Sequence, residues 1–112
     1  MKELDPLIHS PLRLAILSML AGGEEADFMY IKLQTGATTG NISVQITKLQ
    51  EAGYISVEKT FAGRRPRTVC RITDAGREAF GEYVEALKTY ISPVESTPAT
   101  AADMQPGMLN SQ

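Results

Sequence analysis

Three arginines crowd around a single proline in the segment TFAGRRPRTVCRIT: Arg64, Arg65 and Arg67, just after a glycine. A guanidinium group is permanently charged, and its planar set of donors fits phosphate oxygens in pairs. No aspartate or glutamate accompanies the arginines within this segment. A loop selected only for solubility would be expected to mix both signs of charge. We therefore interpret the segment as a contact for a polyanion.

The charge of the whole chain hides this segment. There are 11 Lys+Arg and 13 Asp+Glu in 112 residues, so the net charge is −2. Residues 38–71 nevertheless hold six basic and two acidic side chains, a net charge of +4, which leaves −6 for the remainder. A basic stripe on an otherwise acidic chain is typical of a nucleic-acid binder.

Catalytic and metal chemistry find little support in the residues available. The chain has one histidine, His9, and one cysteine, Cys70, so it can form neither an internal disulfide nor a Cys/His metal site. The glycine-rich AGGEEAD lacks the lysine and Ser/Thr of a phosphate-binding loop. We predict no enzymatic activity, no metal and no cofactor.

His9 and Cys70 have plainer interpretations. His9 precedes a capped helix, where we expect a surface or interface residue. Cys70 shares a predicted strand face with Ile72, which favours a small buried hydrophobe over a redox switch.

Length and hydropathy favour one cytoplasmic domain. A chain of 112 residues with 43% apolar content can form one core. The longest mostly apolar run, residues 14–21, is too short to span a bilayer, and acidic Glu3 and Asp5 precede it where a secretory signal would be basic.

Apolar spacing and capping residues predict three helices before the basic segment. Asp5-Pro6 and Ser10-Pro11 predict a short helical turn and then a helix that begins near Leu12 and ends at Gly22-Gly23. Leu14 and Leu17 lie off its apolar stripe, so the helix is either deeply buried or also contacts a second subunit. The second helix, FMYIKLQT, has Asp27 as its cap and Gly36 as its end. The third spans Thr39 to Ala52, with Ile42, Ile46 and Leu49 facing inward.

The second half of the chain predicts a hairpin and a last helix. YISVEK and RTVCRI alternate as strands do, with TFAGRRP as the loop between them. Thr73 caps a helix that runs through Tyr90. From Ser92 onward, prolines and Ser/Thr without periodicity predict a disordered tail, residues 92–112.

This order of elements and three strings carry a resemblance to a known family. The strings are HSPLRLAILSML, TGATTGNISVQITKLQEAGYI and FAGRRPRTVCRITDAGREA. The chain resembles the winged helix-turn-helix transcription regulators, and is most similar to small single-domain proteins related to the MarR type. The resemblance covers Leu4 to about Ile91, within a predicted domain of residues 1–91. The resemblance implies an α+β fold: a three-helix core, a two-stranded β-hairpin wing and a C-terminal dimerisation helix.

The resemblance implies that the third helix, about residues 39–52, is a recognition helix in the major groove of double-stranded DNA. Asn41 and Gln45 are then candidates for adenine edges and Val44 for a thymine methyl. Lys48 and the hydroxyls of Thr38 and Thr39 would contact phosphate. The alternative is that Thr38 is only a helix cap and that the rest is a solvated face.

The hairpin corresponds to the wing, about residues 60–67. Its arginines, Arg64, Arg65 and Arg67, resemble those that enter the minor groove or bind flanking phosphates. The alternative is an ordinary charged loop.

Relatives in this family bind as two-fold dimers across paired half-sites. The predicted dimer interface consists of seven apolar or aromatic residues from the N-terminal segment and the last helix. They are Leu4, Leu7, Ile8, Phe80, Tyr83, Leu87 and Tyr90. The alternative is that they pack onto the core of their own protomer.

The functional prediction is a sequence-specific, homodimeric DNA-binding transcription regulator, most plausibly a repressor that occludes a promoter. The alternative is a winged-helix protein-interaction module without DNA contact. The sequence leaves open the operator, a small-molecule effector between the dimer helices, and repression against activation.

Overall fold

The structure is a computed structural model that describes residues 3–23 and 25–95. The protein consists of four helices and a three-stranded antiparallel sheet, and the helices and the hairpin follow one another in the predicted order. They are α1 (Pro11–Gly22), β1 (Ala26–Asp27), α2 (Phe28–Thr35), α3 (Thr39–Glu51), β2 (Ile55–Ala62), β3 (Arg65–Ile72) and α4 (Asp74–Glu95). The α+β winged-helix prediction is confirmed.

The sheet has one more strand than predicted. β1 pairs antiparallel with β3, with Ala26 opposite Cys70 and Asp27 opposite Val69, so the strand order is β1-β3-β2. A strand of two residues has no sequence periodicity to reveal it, and only its partner more than 40 residues away defines it. The predicted two-stranded hairpin is present as β2 and β3, and β1 adds one short edge strand that was not predicted.

Helix boundaries follow the capping signals in most places. The Asp27 carboxylate accepts from the Tyr30 backbone N–H at 2.8 Å, and Gly36 ends α2 in the left-handed conformation with φ 70°. The Thr38 hydroxyl accepts from the Asn41 backbone N–H at 3.1 Å and caps α3. Ser10 stands at the predicted N-cap of α1 and Pro11 begins the helix, although the Ser10 side chain forms no cap hydrogen bond.

The hairpin is longer and its turn tighter than predicted. β2 and β3 pair as far as Ala62 opposite Arg65, so only Gly63 and Arg64 form the turn, with Gly63 at φ 67°. Most of TFAGRRP is therefore strand and not loop. Pro66 is tolerated opposite Phe61 because β1 has already ended there, which makes β3 an edge strand on its other side.

The core lies between the helices and the inner face of the sheet. Leu17, off the predicted stripe of α1, is fully buried, which favours the deeply buried helix, and the predicted inner face of α3 is confirmed. The fully buried residues include Ile8, Ile16, Leu17, Leu20, Ile31, Ile42, Leu49 and Cys70.

Hydrogen bonds and close packing fix the start of α4 to Gly53 and Tyr54, the segment that follows α3. The Thr73 backbone N–H donates to the Tyr54 carbonyl at 3.0 Å, and the Thr73 hydroxyl donates to the Gly53 carbonyl and accepts from the Gly76 N–H. A Cβ atom at Gly76 would lie 2.0 Å from the Tyr54 carbonyl oxygen. Only glycine fits this contact, so the predicted cap at Thr73 also sets the packing of α4.

Tyr54 also connects this contact region to the N-terminal segment. Its hydroxyl donates to the Asp5 carboxylate at 2.6 Å. This hydrogen bond, with burial, raises the pKa of Tyr54 to about 12. The residues before α1 are thereby held against the start of β2.

The C-terminal boundary was wrong by several residues, because α4 continues through Glu95 and not only to Tyr90. A proline in the last turn removes one hydrogen bond from the helix without ending it at once. The rest of the predicted tail, residues 96–112, lies outside the described residues.

Among the helices that the structure describes, none is long and apolar enough to cross a membrane.

Candidate nucleic-acid interface

The outer side of α3 is one of two surfaces that could meet nucleic acid. With Ile42, Ile46 and Leu49 turned into the core, Asn41, Val44 and Lys48 are left exposed on the other side. Thr38 and Thr39 are exposed at the N-terminus of α3. The Thr38 oxygen serves as the helix cap, yet its O–H remains a donor that can be directed to a phosphate.

Two predicted base-reading side chains are joined in a hydrogen-bonded chain. The Gln45 amide nitrogen donates to the Asn41 side-chain oxygen at 2.9 Å. Arg13 of α1 donates through Nη1 to the Gln45 side-chain oxygen at 2.5 Å and through Nε to the Leu7 carbonyl. Sequence reasoning missed Arg13, because nothing along the chain links it to a residue 32 positions away.

The tip of the hairpin is the second surface. Arg64 and Arg65 are exposed, and neither side chain forms an ion pair or hydrogen bond within the part of the chain that the structure describes. Phe61, opposite Pro66, is 69% exposed beside them. A projecting hairpin therefore presents two unpartnered guanidinium groups and one aromatic ring to solvent, and the aromatic ring was not foreseen.

A family model for the winged helix DNA-binding domain matches residues 12–91 of the chain. The chain belongs to this family.

Related proteins agree with this assignment. An uncharacterized protein of Methanocaldococcus jannaschii is 35% identical over 78 residues, covering 70% of this chain and 85% of the relative. A transcriptional regulator homologue from Pyrococcus horikoshii superimposes with a TM-score of 0.74 at 32% identity, over 80% of this chain and 88% of the other.

A third likeness shows the fold alone. It is to Bacillus subtilis PadR, solved in complex with operator DNA, with a TM-score of 0.60 at 22% identity. The likeness covers 75% of this chain and 61% of PadR.

The predicted winged-helix family is thus confirmed, and it is a family of DNA-binding domains and transcriptional regulators rather than of enzymes. The closer relation to the MarR type stays a prediction.

The base of the wing differs from its tip. Arg67, which the sequence grouped with Arg64 and Arg65, lies 3.2 Å from Asp27 and 3.8 Å from Glu25. The Tyr30 backbone N–H, and to a smaller extent Arg67, hold the pKa of Asp27 below its usual range. Arg67 therefore ties β3 to β1 and is not at the wing tip. The structure separates it from the other two arginines.

Arg71 extends the same network. Its guanidinium donates to Glu25 at 2.7 Å and to Glu58 at 2.9 Å. The basic charge of the wing segment is thus partly neutralised by carboxylates, two of which come from the β1 region.

The predicted dimer interface splits into buried and exposed parts. Ile8 is 0% exposed and Tyr83 is 3% exposed within a single chain, so they have almost no surface to offer a partner. For these two residues, packing on the core of their own protomer is what the structure shows. Leu4, Leu7, Phe80 and Leu87 are half-buried against the core. Tyr90 and Ile91 remain 44% and 45% exposed. The apolar surface still open to a partner therefore lies toward the end of α4.

The single histidine and the single cysteine both contact other parts of the fold. His9 is exposed, and its Nδ1 lies 2.8 Å from the Tyr83 hydroxyl. Burial, and next the charge of Asp27, raise the pKa of the Cys70 thiol to about 11. No group of His, Cys, Asp and Glu in the described ranges could hold a metal ion.

Proposed function

We propose that this winged helix domain is a homodimer that binds a specific site in double-stranded DNA and represses transcription by occluding a promoter. The N-terminal half of α3 enters the major groove, and the wing tip contacts the flanking minor groove or phosphates. Membership of a DNA-binding family and the likeness to the P. horikoshii regulator homologue support the general function.

One observation carries the wing contact, namely the uneven pairing of its arginines. Arg67 and Arg71 are held by carboxylates within the chain, whereas Arg64 and Arg65 at the tip have no such partner in the described residues. A guanidinium group without a carboxylate partner needs no ion pair to be broken before it binds phosphate. The arginines of the wing tip are therefore better placed to bind a polyanion than Arg67 and Arg71.

The major-groove contact is supported by the composition of the exposed side of α3. Asn41 and Val44 lie in its first half, where residues of a recognition helix reach base edges. Lys48 is exposed one turn further along and suits a phosphate.

The dimer is supported by the exposed end of α4 and by the size of the binding site. A single winged helix reads one half-site, and a two-fold pair reads two half-sites roughly 34 Å apart. Tyr90, Ile91 and the half-buried Leu87 form a surface at which two copies of α4 could pack.

Fluorescence anisotropy with a random duplex tests DNA binding and the role of the wing together. We expect the affinity of the wild type to fall steeply with salt, because binding releases counterions from the DNA. Arg64→Glu with Arg65→Glu should weaken binding more than tenfold at low salt. It should also flatten the logarithmic salt slope by about two for each protomer.

The matched control is Arg64→Lys with Arg65→Lys, which keeps the charge and should keep the slope. If the charge-reversed wing binds like the wild type, the wing does not contact DNA. If the wild type binds no duplex at all, the protein is better explained as an interaction module.

A further inference from the structure

We propose that Arg13, a residue of α1, sets the hydrogen-bond polarity of the recognition helix and thereby the base that Asn41 reads. The inference rests on the proposed DNA-binding function and deepens it, because it names a specificity-determining residue and the class of base edge recognised. Arg13 acts here as a positioning residue behind the side chains that meet DNA.

The carrying observation is the chain of contacts from α1 to the first turn of α3. Arg13 is half-buried, anchored through Nε to the Leu7 carbonyl, and donates through Nη1 to the Gln45 side-chain oxygen. Gln45 is half-buried and donates its amide nitrogen to the Asn41 side-chain oxygen at 2.9 Å. Asn41, the last member of the chain, is exposed.

The chemistry of the three side chains allows only one direction of donation along these hydrogen bonds. A guanidinium group has N–H donors and no acceptor, so Gln45 must turn its oxygen toward Arg13. Its NH₂ group then faces Asn41, which must offer its oxygen in return. The NH₂ group of Asn41 is consequently the part that points away from the chain of contacts. One donor-only residue thus orients two amides.

The presented polarity selects the base. Acceptors in the major groove are N7 and O6 of guanine, N7 of adenine and O4 of thymine, whereas cytosine presents an amino donor. Reading adenine by an amide requires an oxygen and an NH₂ group presented side by side. In Asn41 and Gln45 both oxygens are already engaged, so this arrangement does not favour the adenine contact expected from the sequence. Guanine presents two adjacent acceptors, and we infer a guanine opposite Asn41.

Selection of bound duplexes from a random pool tests this inference. The wild type should enrich guanine at one position in each half-site. Arg13→Met removes the donor, and discrimination between guanine and cytosine at that position should drop about tenfold. Arg13→Lys remains donor-only and should keep the guanine preference.

The salt slope on a random duplex separates positioning from direct contact. With Arg13→Met it should stay unchanged, and a decrease of about one for each protomer would instead make Arg13 a phosphate contact and overturn the proposal. An unaltered base preference in Arg13→Met would overturn it as well. If the wild type enriches no sequence, the proposed function itself has failed.

A second variant keeps the test sharp if loss of Arg13 disturbs the fold. Gln45→Glu retains the bond to Arg13 but presents an oxygen to Asn41 as well, which must then turn its NH₂ group inward and its oxygen outward. The preference should change from guanine to a base that presents an amino group, cytosine or adenine. Retention of guanine by a folded Gln45→Glu protein would contradict the polarity argument.

Discussion

The polar side chains of α3 and those of the wing tip differ in whether they have partners within the protein. On α3, Asn41 and Gln45 are tied to each other and to Arg13 before any DNA is present. At the wing tip, the guanidinium groups of Arg64 and Arg65 have no partner within the described part of the chain. Reading a base requires a fixed arrangement of donors and acceptors, whereas a phosphate contact tolerates adjustment of a long side chain. Within the proposed function, we therefore expect α3 to supply specificity and the wing to supply affinity.

The hairpin repeats this contrast within itself. Arg67 and Arg71 at its base connect β3 to β1 and β2 through Glu25, Asp27 and Glu58. Arginines of one short segment therefore lie in two different environments, and the position of the nearest carboxylate decides which. Among the arginines of the hairpin, only Arg64 and Arg65 at the tip lack a carboxylate partner within the described residues.

The largest effect is expected at the packing of α4, because α3 and the wing both depend on a stably folded domain. Gly76→Ala would place a methyl group against the Tyr54 carbonyl, so α4 must shift, and we expect the free energy of unfolding to fall by about 3 kcal/mol. DNA binding should then weaken for specific and random duplexes alike. Urea unfolding followed by circular dichroism measures the stability.

Gly81→Ala is the control on the same helix. No atom lies within 4 Å of its added Cβ, and replacing a helical glycine should stabilise the fold by about 0.5 to 1 kcal/mol. Equal losses in the two variants would mean that the contact at Gly76 is not what holds α4 in place.

The next largest effect concerns the proposed dimer, which would carry two copies of each surface. We expect Leu87→Asp to give a monomer in sedimentation velocity, with affinity for the two-half-site duplex reduced about a hundredfold because the half-sites then bind independently. Leu87 also packs against the core of its own protomer, so Ile91→Glu, at a residue 45% exposed, is the gentler variant. An intact dimer in both folded variants would place the interface elsewhere.

The smallest effect probes the base of the wing. Glu25→Gln removes a carboxylate that pairs with Arg67 and Arg71. Affinity for a random duplex should rise about twofold at low salt, and the gain should vanish at high salt because the charges are exposed and screened. Glu85→Gln, which removes an equal charge on α4, should leave affinity unchanged. An equal gain in both variants would mean that net charge alone matters.

Signals contained within a few consecutive residues were predicted well from the sequence. The caps at Asp27, Thr38 and Thr73 and the end of α2 at Gly36 were all expected and are present. Each depends on a side chain or a glycine within one turn of the helix end, so the local sequence is sufficient.

Features that depend on distant partners were not predicted. β1 exists because Ala26 and Asp27 meet β3, and Arg67 is neutralised by carboxylates that lie about 40 residues earlier in the chain. The role of Arg13 requires α1 and α3 to pack side by side. The burial of Ile8 and Tyr83 likewise depends on how the chain folds back on itself. Composition and spacing carry no record of such pairings.

The most direct test is the affinity ratio between a selected duplex and a random duplex, measured for the wild type, the charge-reversed wing and Asn41→Ala. We expect Arg64→Glu with Arg65→Glu to weaken both duplexes by the same factor, leaving the ratio unchanged. Asn41→Ala should weaken only the selected duplex and lower the ratio about tenfold. A ratio that collapses in the wing variant and is unaffected in Asn41→Ala would contradict the assignment of specificity to α3 and affinity to the wing.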